Sequence, residues 1–427
     1  MKFSISNIIR SITTIFILVA INVFGFHDFY RDQFFVVLNS FDFILFGLNI
    51  LFLIFAFKSN RFRNTILEKP LCYIFYFYLL SLVIFISMPL RGPISILDAI
   101  RVGRNYLILP LALLIYYDVK INLKGNYYFK IFHIIAFFSS MQIIINAFNS
   151  DIINIIFRHL DRAETDFRGG FQRNILISKS MIFPHILSIY YYHKLISKKY
   201  KFKNLAFFLL LFLASALQGF RVYIIVLIFV LFIFTFLFGN MQKNIIRWSV
   251  ILLLFVPTLV KLDSHFLNDQ IFGKFYTAID EIKYGKGSFQ GRNNDVQLRQ
   301  IPMLLQKPFW GWGFIYHDSS YGKLLNLKEN DRQYGLYSVD SGYITLLMQF
   351  GIVGTGLIIY WYFKLILFYY NSRKNNPLIY ITAIGTILIL FLSLYTHGAF
   401  SREFGLLPFA IVIGITGNYN LKNKNNE

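Results

Sequence analysis

Long apolar runs alternate with short charged loops along the whole chain. Each run holds roughly 20 residues with few charges, the length that carries a helix across a bilayer. About twelve spans are expected by run length, near 8–26, 34–57, 71–90, 100–117, 128–149, 175–193, 204–219, 221–239, 245–261, 339–361, 377–395 and 404–418. The fourth is interrupted at its start by Arg101 and Arg104, and the seventh and eighth are parted only by Gln218 to Arg221, a tight hairpin. The run from Ile8 to Phe26 exceeds a signal-peptide core and is read as a first span. The expected fold class is therefore an all-α integral membrane protein of about twelve transmembrane helices, with one long outward loop between helices 9 and 10. It divides into helices 1–9 over 1–261, the loop over 262–338, and helices 10–12 with a short tail over 339–427.

Loop charge sets the orientation. Alternate loops are short and basic: Lys58, Arg61, Arg63 and Lys69; Lys120, Lys124 and Lys130; Lys194 to Lys203; Lys243 and Arg247; Arg373 and Lys374. Such loops stay in the cytoplasm. The loops between them hold most of the acids, among them Asp28, Asp32, Asp151, Asp161, Glu164 and Asp166. Both termini are expected in the cytoplasm and the loop from about Leu262 to Ser338 outside, in a multi-pass membrane protein. Asp42 is the acid expected within a span.

Composition narrows the function. At 56% hydrophobic and 15% charged residues, a soluble chain is excluded. A net charge of +21 would suggest nucleic acid in a soluble protein, but here it is spread over loops between apolar helices. Cys72 is the sole cysteine, so no internal disulfide or thiolate metal site forms, and no histidines show paired metal-ligand spacing. No Gly-rich nucleotide loop is present. No metal and no cofactor are implied.

A second asymmetry concerns the cations. The cytoplasmic loops mostly use lysine, whereas the shorter outward loops use arginine: Arg31, Arg91, Arg101, Arg104, Arg158, Arg162, Arg168, Arg173, Arg221 and Arg402. A planar, permanently charged fork grips phosphate through two parallel hydrogen bonds. The other reading is that these arginines pair with Asp161, Glu164, Asp166 and Glu403, or anchor helix ends at headgroups.

The stretch from Gln290 to Gly356 concentrates the candidate chemistry. It holds Gly291-Arg292, then Leu304-Leu305-Gln306-Lys307-Pro308-Phe309-Trp310-Gly311-Trp312-Gly313, then Asp340-Ser341-Gly342-Tyr343 with Leu347, Gly351 and Gly354 following. These elements resemble the bacterial O-antigen polymerase and ligase family over about 70 residues. The ligase branch is expected to carry His where this chain has Asp340, which favours the polymerase branch. The resemblance implies a membrane glycosyltransferase that joins polyprenyl-pyrophosphate-linked oligosaccharide repeat units into O-antigen, capsule or exopolysaccharide. The bilayer, a flippase and a chain-length regulator are its expected partners, and nucleic acid is not. A ligase acting on a lipid A core or a protein is the same-class alternative, and a lipid-linked oligosaccharide flippase the alternative of another class. A rocking transporter needs no such outward loop.

Residue by residue, the resemblance makes Arg221, at the start of an apolar helix, a pyrophosphate contact; a snorkelling anchor is the other reading. Arg292 and Arg299 are seven residues apart and would share one face of a helix. One of them is expected to meet donor phosphate or acceptor sugar. Trp310 and Trp312 stack on sugar rings or sit in the interfacial aromatic belt. Asp340 is the expected base that takes or orients the acceptor hydroxyl proton, unless it only caps its helix. Ser341 is equally able to cap. His317 is the alternative base, His397, Arg402 and Glu403 lie together in the last outward loop, and His159 lies among Arg158, Asp161 and Arg162. Arg101, Arg104, Arg158, Arg162 and Arg402 complete the expected substrate contacts. Pro308, Gly311 and Gly313 read as a turn, and Gly351, Gly354 and Gly356 as sites of close helix packing.

Overall fold

The computed structural model describes residues 5–21, 40–122, 125–148, 165–168, 171–174, 180–197, 202–217, 221–238, 300–315, 319–324, 342–394 and 403–418. In chain order the helices are α1 (Ile5–Ala20), α2 (Ser40–Lys58), α3 (Asn60–Leu67), α4 (Leu71–Arg91), α5 (Ile96–Gly103), α6 (Pro110–Asn122), α7 (Gly125–Phe148), α8 (Ile182–Ile196), α9 (Phe202–Leu217), α10 (Arg221–Phe238), α11 (Ile301–Gln306), α12 (Ser320–Leu324), α13 (Gly342–Ser372), α14 (Pro377–Ser393) and α15 (Glu403–Ile415). A short antiparallel hairpin pairs Thr165–Arg168 with Phe171–Asn174 between α7 and α8.

Among the described residues, five helical stretches are long and apolar enough to cross a membrane: Phe41–Lys58, Leu71–Arg91, Ile96–Asn122 (which joins α5, a 3₁₀ turn and α6), Gly125–Ile145 and Gly342–Ser372. Asn7–Ala20, Phe202–Leu217, Val222–Phe238, Pro377–Ser393 and Phe404–Ile415 are shorter apolar helices. The expected run at 245–261 lies outside the described residues. Large side chains such as Phe57, Ile86, Leu90 and Phe232 stay exposed. That is the pattern of helices apolar all round, whose outer faces meet lipid. Several buried hydroxyls inside the bundle find partners in their own helices. Ser81, Ser140, Ser215, Thr235, Thr382 and Thr386 each donate to the carbonyl four residues back. No water reaches such depth to satisfy them otherwise.

Two expected spans need correction. The fourth is not one continuous helix at 100–117. α5 stops at Gly103, a 3₁₀ turn covers Arg104–Ile108, and α6 starts at Pro110. Pro110 has no N–H and a fixed φ, so it starts a helix and does not continue one. The polar groups freed at this break are met from afar: Asn49 Nδ2 donates to the Leu107 carbonyl at 3.0 Å, and Tyr78 Oη to Asn49 Oδ1 at 2.7 Å. The tenth span runs on to Ser372 as a 31-residue element with a break at Gly351 (φ 68°, ψ −177°). Its length, about 46 Å as helix, exceeds the roughly 30 Å hydrocarbon core.

The basic segment after α2 also has more order than a loop. Ser59 caps α3 by accepting from the Phe62 N–H, and α3 buries Phe62, Thr65 and Ile66.

Contacts sort the helix ends into two sets. α4 and α13 run antiparallel, with Tyr76 against Trp361 and Phe77 against both Phe350 and Tyr362. At one end Tyr369 meets Tyr380 and Thr416, Phe238 meets Tyr370, and Arg10 pairs with Asp118. Asp118 is 1% exposed and also accepts from Tyr128 and Asn122. Asp42 is thus joined by a second buried acid within a candidate span, one that sequence reasoning passed over. The other end gathers the C-termini of α4 and α14 with the N-termini of α8, α10 and α13. Its contacts include Tyr343 N–H to the Leu394 carbonyl at 3.2 Å and the His185 ring against Tyr223.

Candidate functional site

That second end is built around the break in α13. Ending a helix leaves carbonyls without partners, and starting another leaves N–H groups without partners. Here the turn after α11 supplies both. Trp312 N–H donates to the Met348 carbonyl at 2.6 Å, closing the first half. Ile352 N–H donates to the Pro308 carbonyl at 2.8 Å and Val353 N–H to the Phe309 carbonyl at 3.2 Å, capping the second half. Gly311 and Gly351 both have positive φ, 66° and 68°. The reading of Gly351 and Gly356 as packing glycines is corrected: Gly351 is the break itself, and a Cβ at Gly356 would meet nothing within 4 Å.

α4 holds the turn from the side. Arg91 Nη1 donates to the Trp310 carbonyl at 2.8 Å and the Gly311 carbonyl at 3.1 Å. Lys307 Nζ donates to the Arg91 carbonyl at 3.4 Å and sits 4.3 Å from the Trp312 ring centre. Partial burial, and then the Arg91 charge, push the Lys307 amine below its ordinary value. Phe314 inserts beneath, against Phe85, Tyr106 and Phe350. Tyr106, on the 3₁₀ turn, donates from Oη to Gln349 Oε1, two residues before the break. The two irregular stretches, Arg104–Ile108 and the break at Gly351, therefore pack on one another.

The expected site residues can now be placed. Trp310 is exposed, at 65%, and its carbonyl accepts from Arg91. Of the two readings of Trp312, sugar stacking or a place in the interfacial belt, burial disfavours the first. Trp312 is 4% exposed, its Nε1 donates to the Met303 carbonyl at 2.8 Å, and its ring lies against Lys307. Arg104 sits at the same end, with Nη1 at 3.1 Å from both oxygens of buried Asp42. This acid partner lies on α2. Arg101 pairs with Asp98, three residues back, at 3.5 Å. Arg221 is the first residue of α10, which packs on α14 and α8. Asp340, Arg292, Arg299, Arg158, Arg162, His159, His317, His397 and Arg402 lie outside the described residues. Asp340 precedes the first described residue of α13 by two positions, Arg299 precedes Gln300, and Arg402 precedes α15.

Sequence reasoning missed Arg91 as the clamp, Gly351 as a break, and the Tyr106–Gln349 and Arg104–Asp42 contacts. One signal was available for the last: an acid at the start of a span demands a cation. Among the described residues, no group of three or more His, Cys, Asp or Glu is arranged to hold a metal ion.

No curated protein matches this chain. Residues 206–359, which include α10, the turn and the broken half of α13, match the family model described as O-antigen ligase. The match supports assigning the chain to the O-antigen ligase and polymerase family of membrane proteins.

Proposed function

We propose that this chain is an integral-membrane glycosyltransferase that polymerises polyprenyl-pyrophosphate-linked oligosaccharide repeat units at the outer face of the plasma membrane. The observation that supports the reading is that the starts of α10 and α13 and the turn bearing Trp310 share one end of the bundle. α10 starts there with Arg221, and α13 starts there beside the end of α14. Covalent geometry keeps the Asp340 Cα within about 8 Å of the Gly342 Cα, whatever path the chain takes. The family match spans Arg221, Arg292, Arg299, Trp310 and Asp340.

In this reading the acceptor hydroxyl oxygen attacks the anomeric carbon of the donor glycan. The bond from that carbon to the pyrophosphate oxygen breaks, and polyprenyl pyrophosphate leaves. Asp340 takes the hydroxyl proton. Arg221, with Arg292 or Arg299, stabilises the charge that grows on the leaving group, in a site where fixed cations act more strongly than in water. Trp310 offers an apolar ring face to sugar. The frame is about twelve spans with both termini cytoplasmic and the 262–338 loop outside. A flippase that delivers the donor and a chain-length regulator are the proposed partners.

The family description favours a second reading, a ligase that moves the glycan to a lipid A core or a protein. One assay separates the two. Purified protein in lipid is given a polyprenyl-pyrophosphate oligosaccharide, alone or with lipid A core. A polymerase extends chains from the donor alone, whereas a ligase modifies only the core. Absence of transfer in both arms would refute the enzyme reading.

A further inference from the structure

We propose that Arg91 is a positioning residue for the transfer site, fixing the 308–313 turn in the break of α13. The inference rests on the transferase reading above. Arg91 ends α4, and Ser87 Oγ, one turn back, accepts its Nε at 3.0 Å, which orients the guanidinium. Nη1 then spans the carbonyls of Trp310 and Gly311, while the Arg91 carbonyl accepts Lys307 Nζ. The grip is reciprocal: α4 gives a cation to the turn, and the turn returns one to α4. Hydrogen bonds with a charged donor are stronger than neutral ones, and here one guanidinium nitrogen holds two carbonyls of the turn.

The turn is also the cap for both halves of α13. Its 308 and 309 carbonyls hold the second half and its 312 N–H closes the first. Met88, one turn before Arg91, packs into the same place: its Sδ accepts from Phe314 N–H at 3.1 Å, and a Cβ at Gly313 would lie 2.3 Å from that sulfur. Loosening the turn therefore moves the first half of α13, which follows Asp340 by two residues, and α11, which follows Arg299 by two. Arg91 acts on the chemistry through these neighbours, with its Nε and Nη1 committed to protein groups.

The test uses the full chain in nanodiscs as Arg91→Gln and Arg91→Lys. Two quantities are read: hydrogen exchange at the Trp312, Ile352 and Val353 amides, and kcat and KM for transfer from a polyprenyl-pyrophosphate oligosaccharide. In Arg91→Gln the three amides should exchange roughly tenfold faster. Its kcat should fall about tenfold or more while KM for the donor stays within about twofold, as expected of misplacement without a lost substrate contact. Arg91→Lys, which retains a charged donor, should recover part of both, and it carries the test if Arg91→Gln does not accumulate. Unchanged exchange overturns the proposal, as does faster exchange with unchanged kcat. A raised KM with unchanged kcat also overturns it, because Arg91 would then touch substrate. If the wild-type protein transfers nothing, the transferase reading falls, and the exchange result alone then decides whether Arg91 holds the turn.

Discussion

Gly311 and Gly351 meet backbone against backbone. A Cβ on Gly311 would lie 2.6 Å from the Gly351 nitrogen, and one on Gly351 would lie 2.5 Å from the Gly311 nitrogen. Neither backbone can retreat, because hydrogen bonds on both sides fix the turn in the break. The conformation of Gly351 is also one that residues with a Cβ rarely adopt. Gly351→Ala should therefore destabilise the protein by about 1–3 kcal/mol from strain alone, with the clash adding to it. Thermal melting in detergent checks this, with Gly356→Ala as the silent control.

The Asp42–Arg104 pair makes a second prediction. Asp42 is 2% exposed, whereas the Arg104 side chain keeps partial access to solvent. Asp42→Asn leaves a cation beside a neutral amide, and breaking a fully buried pair costs about 3–5 kcal/mol. Exposure of Arg104 reduces that to about 1–3 kcal/mol. Asp42→Asn combined with Arg104→Gln should recover part of the loss, a coupling that a double-mutant cycle measures. Additive losses would show that the two residues act separately.

Arg221 tests the phosphate reading. Lysine snorkels as well as arginine but lacks the flat fork. Arg221→Lys should accumulate in the membrane and yield little polymer. Normal polymer from this variant would leave Arg221 as a headgroup anchor.

How far the sequence could be read follows from where the constraints lie. A helix in lipid must satisfy its backbone internally, so it shows as a long apolar run, and the runs at 71–90 and 377–395 fall on α4 and α14. The breaks were illegible for the opposite reason. Their partners are distant in sequence, as Pro308 is from Ile352 and Asn49 from Leu107, and no local pattern records them. Glycine at Gly351 reads equally as a packing site or a break until the turn is seen against it. The resemblance located the turn and the α13 start, but not the clamp from α4. Arg91 looks like any other helix-end arginine.

Topology gives the fourth prediction. Tags at Met1 and Glu427 should report the cytoplasm and a tag at Lys323, on α12, the outer side. The basis is the alternation of lysine-rich loops. A cytoplasmic Lys323 would place the Arg221 end on the wrong side for an exported, lipid-linked donor.

The central claim is that the α13 start carries the base of a glycan transfer. Asp340→Asn tests it most directly, because asparagine keeps the size and most of the capping ability while removing the basic carboxylate. The measurement is the length distribution of glycan on its final acceptor, at wild-type protein level. The account predicts single repeat units without a ladder of longer chains, since a separate ligase still attaches what the failed polymerase leaves. A wild-type ladder from the Asp340→Asn protein would contradict it.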